Sequence, residues 1–254
     1  MATNDLTILP VVPEDQEIDA KQRELHPNIP DVYKGQLIAL VGGVRMGKGT
    51  LWNNFLHNPN FYGSVGGEGA DGEDFFSSVN IISPTIWNDS TSRFTAKKWK
   101  DTCYDRYDDK IITDLIENQR KKKEADDDTS YALIVDDCYG EFNRHGRNGG
   151  AVLRLCSRFR HYVKKPAPCL YLYSTQKYLD LVPIIRANAT GFLVSGMIKN
   201  RKELDALKYD LDDSFGGKFE EIMAHAQGEM YSWVYFRLDS TPPEAYLNFH
   251  TQIY

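Results

Sequence analysis

The chain has 254 residues, 41% of them hydrophobic and 26% charged, and a formal net charge of −6. This ordinary globular composition excludes a uniformly basic nucleic-acid coat, although a local basic patch or a basic pore built from several copies stays open. There is no run of about eighteen apolar residues, and residues 1–30 lack the basic and apolar segments of a secretory signal, so neither a membrane span nor export is expected.

Residues 1–30 carry Pro10, Pro13, Pro27 and Pro30 and little periodicity. They predict an extended arm, either free in solvent or strapped across a neighbouring subunit. Residues 31–254 then form one domain. The apolar run 36–41 predicts a buried parallel strand. A glycine loop follows, then helical spacing over 51–56. The glycine-rich stretch 62–73 predicts a mobile loop, and 79–82 a second strand stopped by Pro84. Residues 105–124 predict a helix ending in Arg120, Lys121, Lys122 and Lys123, where cations complement the helix's negative end. An acidic loop at 125–130 leads to a third strand at 131–135, which runs into Asp136 and Asp137. A helix is expected over 151–163, and a fourth strand over 169–173 that ends at Ser174, Thr175 and Gln176. A fifth strand at 191–195 and a helix over 200–226 follow. The tail alternates over 231–237 and 245–250 around Pro242 and Pro243, which predicts a closing hairpin. Strands alternating with helices give an α/β fold, with a mainly parallel central sheet covered on both faces. Cys103, Cys138, Cys156 and Cys169 lie far apart without metal-type spacing and are expected as free thiols.

The segment Gly42-Gly43-Val44-Arg45-Met46-Gly47-Lys48-Gly49-Thr50 holds the pattern G-x-x-x-x-G-K between a predicted strand and a predicted helix. Glycines let the backbone turn tightly and aim several N–H groups at one point, the helix N-terminus adds positive potential, and Lys48 brings a full charge to the β/γ-phosphates. These residues predict a site for ATP. Most such loops carry a Ser or Thr after the lysine to bind Mg²⁺, but here that residue is Gly49. Either Thr50, one place later, reaches the metal, or water fills the position. A carboxylate closing a buried strand beside such a loop holds Mg²⁺ directly or through water. That role is assigned to Asp136, leaving Asp137 to polarise the attacking water, a need of hydrolysis rather than of transfer to another molecule. Gln176 at the fourth strand's carboxyl end is either a polar strand cap or a sensor that bonds the γ-phosphate and the water.

The run Tyr173-Ser174-Thr175-Gln176, then Ile185-Arg186-Ala187-Asn188, then Val194-Ser195-Gly196 through Asn200-Arg201 with Leu204-Asp205 behind, resembles the FtsK–HerA superfamily of DNA-pumping ATPases. Within it, the short form with paired aspartates resembles the genome-packaging ATPases of poxviruses, virophages and related membrane-containing icosahedral viruses. The resemblance spans roughly residues 36–205. It implies a RecA-like core, a homo-oligomeric ring of five or six subunits, and passage of double-stranded DNA through that ring. It implies Gln176 as the sensor and Arg201, ahead of Arg186, as the arginine supplied to a neighbour's site. A core with only a short arm suits a packaging motor that borrows location and direction from capsid or portal-vertex proteins, in the virion or the host cytoplasm.

A ring motor grips phosphates rather than base edges. Arg144, His145 and Arg147 are either an ordinary surface loop or the residues that would line its pore. The Gly47-Lys48-Gly49-Thr50 ending also resembles the loop of adenylate kinases, so a small-molecule nucleotide kinase is the second reading. A nucleotide-dependent scaffold is the third.

Overall fold

The computed structural model describes residues 23–64, 74–127, 129–138, 141, 150–164 and 167–254. Its centre is β1 (Gln36–Val41), whose six residues are all buried, as a strand covered on both faces requires. β1 lies between β5 (Cys169–Thr175) and β6 (Gly191–Ser195), both parallel to it. The sheet continues outward from β5 through β4 (Tyr131–Asp136), β2 (Ser78–Ile82) and the short β3 (Cys103–Tyr104), all parallel. From β6 it continues through β7 (Trp233–Arg237), β8 (Glu244–Leu247) and β9 (Thr251–Gln252), which are antiparallel. The nine-stranded order is β3-β2-β4-β5-β1-β6-β7-β8-β9. The parallel sheet and closing hairpin expected from the sequence are both present.

Alternation along the strands sorts two cores. Leu37, Ala39 and Val41 face one core, where they meet Ile112 and Leu115 of α3 (Asp109–Glu124), Leu155 and Phe159 of α4 (Gly150–Tyr162), and Leu207 and Leu211 of α6 (Arg201–Leu211). Ile38 and Leu40 face the other, with Trp52, Phe55 and Leu56 of α1 (Lys48–His57). Helices therefore cover both faces.

Two short helices have no counterpart in the sequence reading: α2 (Arg93–Lys98) and α5 (Pro183–Asn188). Six residues are too few to display a helical period. The helix expected over 200–226 is two helices, α6 and α7 (Phe219–Ala224). Gly216 and Gly217 have φ of 60° and 80°, a left-handed turn that no helix continues through. The Asp212 carboxylate accepts the Phe219 amide at 3.0 Å as the chain re-enters helix.

Of the expected arm, residues 1–22 lie outside the described residues. From Arg23 the chain packs on the body: its guanidinium donates to the Gly63 carbonyl at 2.7 Å, and Asn28 donates to the Phe249 carbonyl at 2.7 Å. Most of the glycine-rich stretch 62–73 lies outside the described residues, as do Arg144, His145 and Arg147. Among the described residues no helix is long and apolar enough to cross a membrane. All four cysteines are buried and free.

Candidate functional site

The carboxyl ends of β1, β4 and β5 lie side by side. Val41 pairs with Thr175, and Ser174 pairs with both Leu40 and Asp136. In a parallel sheet this edge receives the ligand. The loop 42–47 leaves β1 there and enters α1. The Gly42 amide still donates to the Thr175 carbonyl at 3.1 Å, tying the loop to β5 as it departs. A Cβ at Gly42 would come within 2.6 Å of the Trp233 indole, so glycine is what lets that ring lie beneath the loop. Gly47, with φ of 86°, makes the turn into the helix. Arg45 is also left-handed, with φ of 63°, and Val44 projects to solvent. The amides of the first turn of α1 have no acceptor within the helix and point out of its N-terminus. A carboxylate or phosphate placed there meets hydrogen-bond donors and positive potential together.

Lys48 is buried, and its ammonium donates to the Gly42 carbonyl at 2.9 Å and the Gly43 carbonyl at 3.4 Å. Across from it stands Asp137, with Oδ2 at 3.6 Å from the lysine nitrogen. Asp137 is left-handed at φ 52°, a conformation Asp tolerates better than most residues, and its amide donates to the Ser174 carbonyl at 2.9 Å. Gln176 Nε2 donates to the same Asp137 Oδ2 at 3.1 Å. Lysine, aspartate and glutamine from three different strand ends thus converge on one point. Gln176 is exposed, so its amide is free to exchange partners.

Asp136 lies deeper and is 9% exposed. Ser83, at the end of β2, donates to its Oδ2 at 3.3 Å, whereas Oδ1 has no hydrogen-bond partner among the described residues. Burial pushes its acidity down, raising the pKa, and the charge of Asp137 adds to this; the nearby Ser174 hydroxyl, which lies outside hydrogen-bond geometry, the Lys48 ammonium and the Ser83 hydroxyl oppose it. An orphaned buried carboxylate oxygen beside a phosphate-type loop fits a hard divalent cation such as Mg²⁺. Among the described residues no cluster of three or more His, Cys, Asp or Glu is placed to hold a metal by itself. Mg²⁺ takes one or two carboxylates and completes its shell with phosphate oxygens and water.

Thr50 sits in the first turn of α1. It is exposed and lines a cavity of about 390 Å³ with Gly47, Asn54, Tyr231, Trp233 and Phe249. Tyr231, in the segment before β7, packs against Gly47: a Cβ added there would lie 3.1 Å from its ring. The ring is 58% exposed and itself sits at a left-handed φ of 62°. An exposed aromatic face beside the loop's helix end is shaped for a planar ring. The sequence reading missed Tyr231, Trp233 and Ser83. No local pattern marks them, because only the pairing of β7 with β6 and of β2 with β4 brings them here.

The two arginines lie elsewhere. Arg201 opens α6 with its side chain 87% exposed and only a 3.7 Å contact to Asp205. Arg186, on α5, is held within the chain by Asp210 at 3.1 Å and lies over the Tyr178 ring at 5.3 Å. Among the described residues neither makes a hydrogen bond or ion pair to the Lys48–Asp137–Gln176 cluster of its own subunit.

No family model matches the chain, and no curated protein sequence matches it. Solved structures do. The genome packaging NTPase B204 from Sulfolobus turreted icosahedral virus 2, in complex with AMP, aligns at a TM-score of 0.55 and 16% identity over 86% of this chain and 98% of that one. The same protein in complex with AMPPCP aligns at 0.53 with the same identity and coverage. The DNA-packaging ATPase B204 from Sulfolobus turreted icosahedral virus aligns at 0.54 and 18% identity, over 86% of this chain and 98% of that one. This chain shares an α/β fold with those packaging enzymes.

Proposed function

We propose that this chain is an ATP-hydrolysing motor of the FtsK–HerA type, which translocates double-stranded DNA and packages a viral genome into a preformed capsid. One observation carries the reading. Lys48, Asp137 and Gln176 meet within hydrogen-bond and ion-pair distance at the sheet's carboxyl edge, above the buried Asp136. The similar packaging enzymes add support, since structures of one contain AMP, AMPPCP or ATP-gammaS.

In this reading the triphosphate lies across loop 42–50. The amides and Lys48 would hold the phosphates, and Asp136 would hold Mg²⁺, which would supply charge neutralisation to the transferring phosphoryl group. Asp137 orients the attacking water and accepts its proton, while Gln176, now bonded to Asp137, senses the γ-phosphate by changing partner. The base lies on Tyr231 within the apolar cavity. We expect Tyr231→Ala to raise KM for ATP about tenfold with kcat nearly unchanged, because a stacked base is worth roughly 1–3 kcal/mol and stacks alike in ground and transition states. Steady-state kinetics with ATP checks this.

Residues 31–254 act as one RecA-like domain with residues 1–30 as its arm, and the working form is a ring of five or six copies. Arg201, exposed and weakly held, reaches the neighbour's γ-phosphate, whereas Arg186 is occupied by Asp210. Capsid or portal-vertex proteins supply location, in the virion or the host cytoplasm. A kinase would place an acceptor nucleotide where Gln176 and Asp137 close off the loop, so the contact between them favours hydrolysis.

The test is ATP turnover with double-stranded DNA or with a nucleoside monophosphate added, at rising protein concentration. We expect stimulation by DNA only, and activity per subunit that climbs with concentration. Arg201→Ala and Lys48→Ala, each inactive alone, should regain partial turnover when mixed, since one supplies the site and the other the arginine. Stimulation by a monophosphate, or activity indifferent to concentration and to mixing, would overturn the ring motor.

A further inference from the structure

We propose that Asp89 takes the place of the hydroxyl missing after Lys48, and that this carboxylate is the second protein group turned toward the divalent cation of the bound nucleotide. The inference rests on the nucleotide–Mg²⁺ reading above and adds a residue to it.

The residue after the lysine of a phosphate loop directs its Cβ toward the metal, which is why a Ser or Thr hydroxyl ordinarily serves there. Here that residue is Gly49. A Cβ built on it meets one atom within 4 Å: Asp89 Oδ2, at 3.5 Å. A carboxylate oxygen therefore stands beside the space a hydroxyl would fill. Thr50, one residue further round α1, lines the cavity beside Tyr231.

Asp89 is held in place by its own loop. Oδ1 accepts the Thr91 amide at 3.0 Å, and Oδ2 accepts the Ser92 hydroxyl at 2.9 Å. Ser92 is buried and accepts Asn53 Nδ2 at 3.3 Å, and the same Nδ2 donates to the Gly49 carbonyl at 2.8 Å. Hydrogen bonds thus run from the Asp89 carboxylate back to the peptide of the very residue that lacks a side chain. The loop begins at the end of β2 with Ser83, which bonds Asp136 Oδ2. It therefore starts at one candidate metal-facing carboxylate and ends with another over α1. Asp136, itself only 9% exposed, has its Oδ1 buried without a hydrogen-bond partner among the described residues. Among the described residues Asp89 makes no ion pair, so its charge is not spent on a lysine or arginine. Two carboxylates, phosphate oxygens and water are a donor set that Mg²⁺ accepts.

The plain alternative is that Asp89 only closes the turn with Thr91 and Ser92. The two roles differ in sign. A carboxylate near the phosphates repels a metal-free nucleotide and attracts a metal-loaded one; a turn-former does neither. Asp89→Asn preserves the acceptor for the Thr91 amide and removes the charge. Binding of a fluorescent N-methylanthraniloyl-ATP is measured in excess EDTA and in saturating Mg²⁺, and Mn²⁺ loading of the nucleotide complex is read by EPR. For Asp89→Asn we expect affinity with Mg²⁺ to fall about tenfold, affinity in EDTA to rise severalfold, and the Mn²⁺ signal of the complex to weaken. Adding Gly49→Ser to it, which restores the ordinary hydroxyl, should recover most of the Mg²⁺-dependent affinity. Equal losses in EDTA and Mg²⁺, or no change in either, with the parent still preferring Mg²⁺, would sink the role of Asp89 alone. A parent that binds this nucleotide under neither condition would sink the nucleotide reading and the Asp89 role together.

Discussion

Lys48→Ala should abolish ATP turnover and weaken ATP binding by about 10- to 100-fold. The ammonium is buried, points into the loop and brings a full positive charge to it. A hydrogen bond from a charged donor is worth about 1.5–3 kcal/mol, which sets the binding loss. Turnover should fall further, by about 10³ or more, because charge on the transferred phosphoryl oxygens grows toward the transition state and Lys48 sits among the groups placed to meet it. The fold should survive. The variant loses bonds to the carbonyls of Gly42 and Gly43 and a contact with Asp137, a change of about 1–3 kcal/mol that lowers the melting temperature by several degrees. Isothermal titration with ATP, phosphate release and a thermal melt separate the three effects. Unchanged binding and turnover in a folded Lys48→Ala protein would end the nucleotide reading.

Much of this site was legible in the sequence because its parts sit at strand ends. A six-residue apolar run followed by G-x-x-x-x-G-K fixes β1, loop and α1 with no tertiary information, and apolar runs ending in Asp136 and in Gln176 place those side chains at the same edge once the strands are parallel. The groups that come from elsewhere in the sheet were not legible. Trp233 reaches Gly42 only because β7 pairs antiparallel with β6, some 190 residues along the chain. Tyr231 opens the alternating stretch expected as a strand but lies just before β7, and its position against Gly47 depends on that same pairing. Asp89 lies in a loop between β2 and α2, the lone acidic residue between Asp74 and Asp101, and no motif spacing ties it to the phosphate loop. The contact from Gln176 to Asp137 spans 39 residues and needs both the β4–β5 register and the left-handed backbone at Asp137. Helix length was misjudged for a different reason. The charged and apolar residues of 200–226 keep a helical period across Gly216 and Gly217, but backbone conformation there overrides the pattern.

Asp137→Asn should leave ATP binding intact, or tighten it by removing a negative charge near the phosphates, while cutting turnover by about 10²–10³. Asparagine fills the same space and tolerates the left-handed φ of 52°, so the backbone should hold. What it loses is the ability to accept a proton from water and to attract Lys48 across 3.6 Å. Gln176→Ala acts on the same function from the other side, since the Gln176 amide holds the Asp137 carboxylate at 3.1 Å. The two changes should therefore not add: the double variant should be about as slow as Asp137→Asn alone. Single-turnover hydrolysis in the parent, both single variants and the double variant yields the coupling directly. A role confined to folding would show as matching losses of melting temperature and of ATP affinity. A role in positioning water leaves both near the parent values and confines the loss to the chemical step. If the losses multiply, Gln176 senses nucleotide by a route independent of Asp137, and the shared-carboxylate arrangement at the sheet edge is not what couples them.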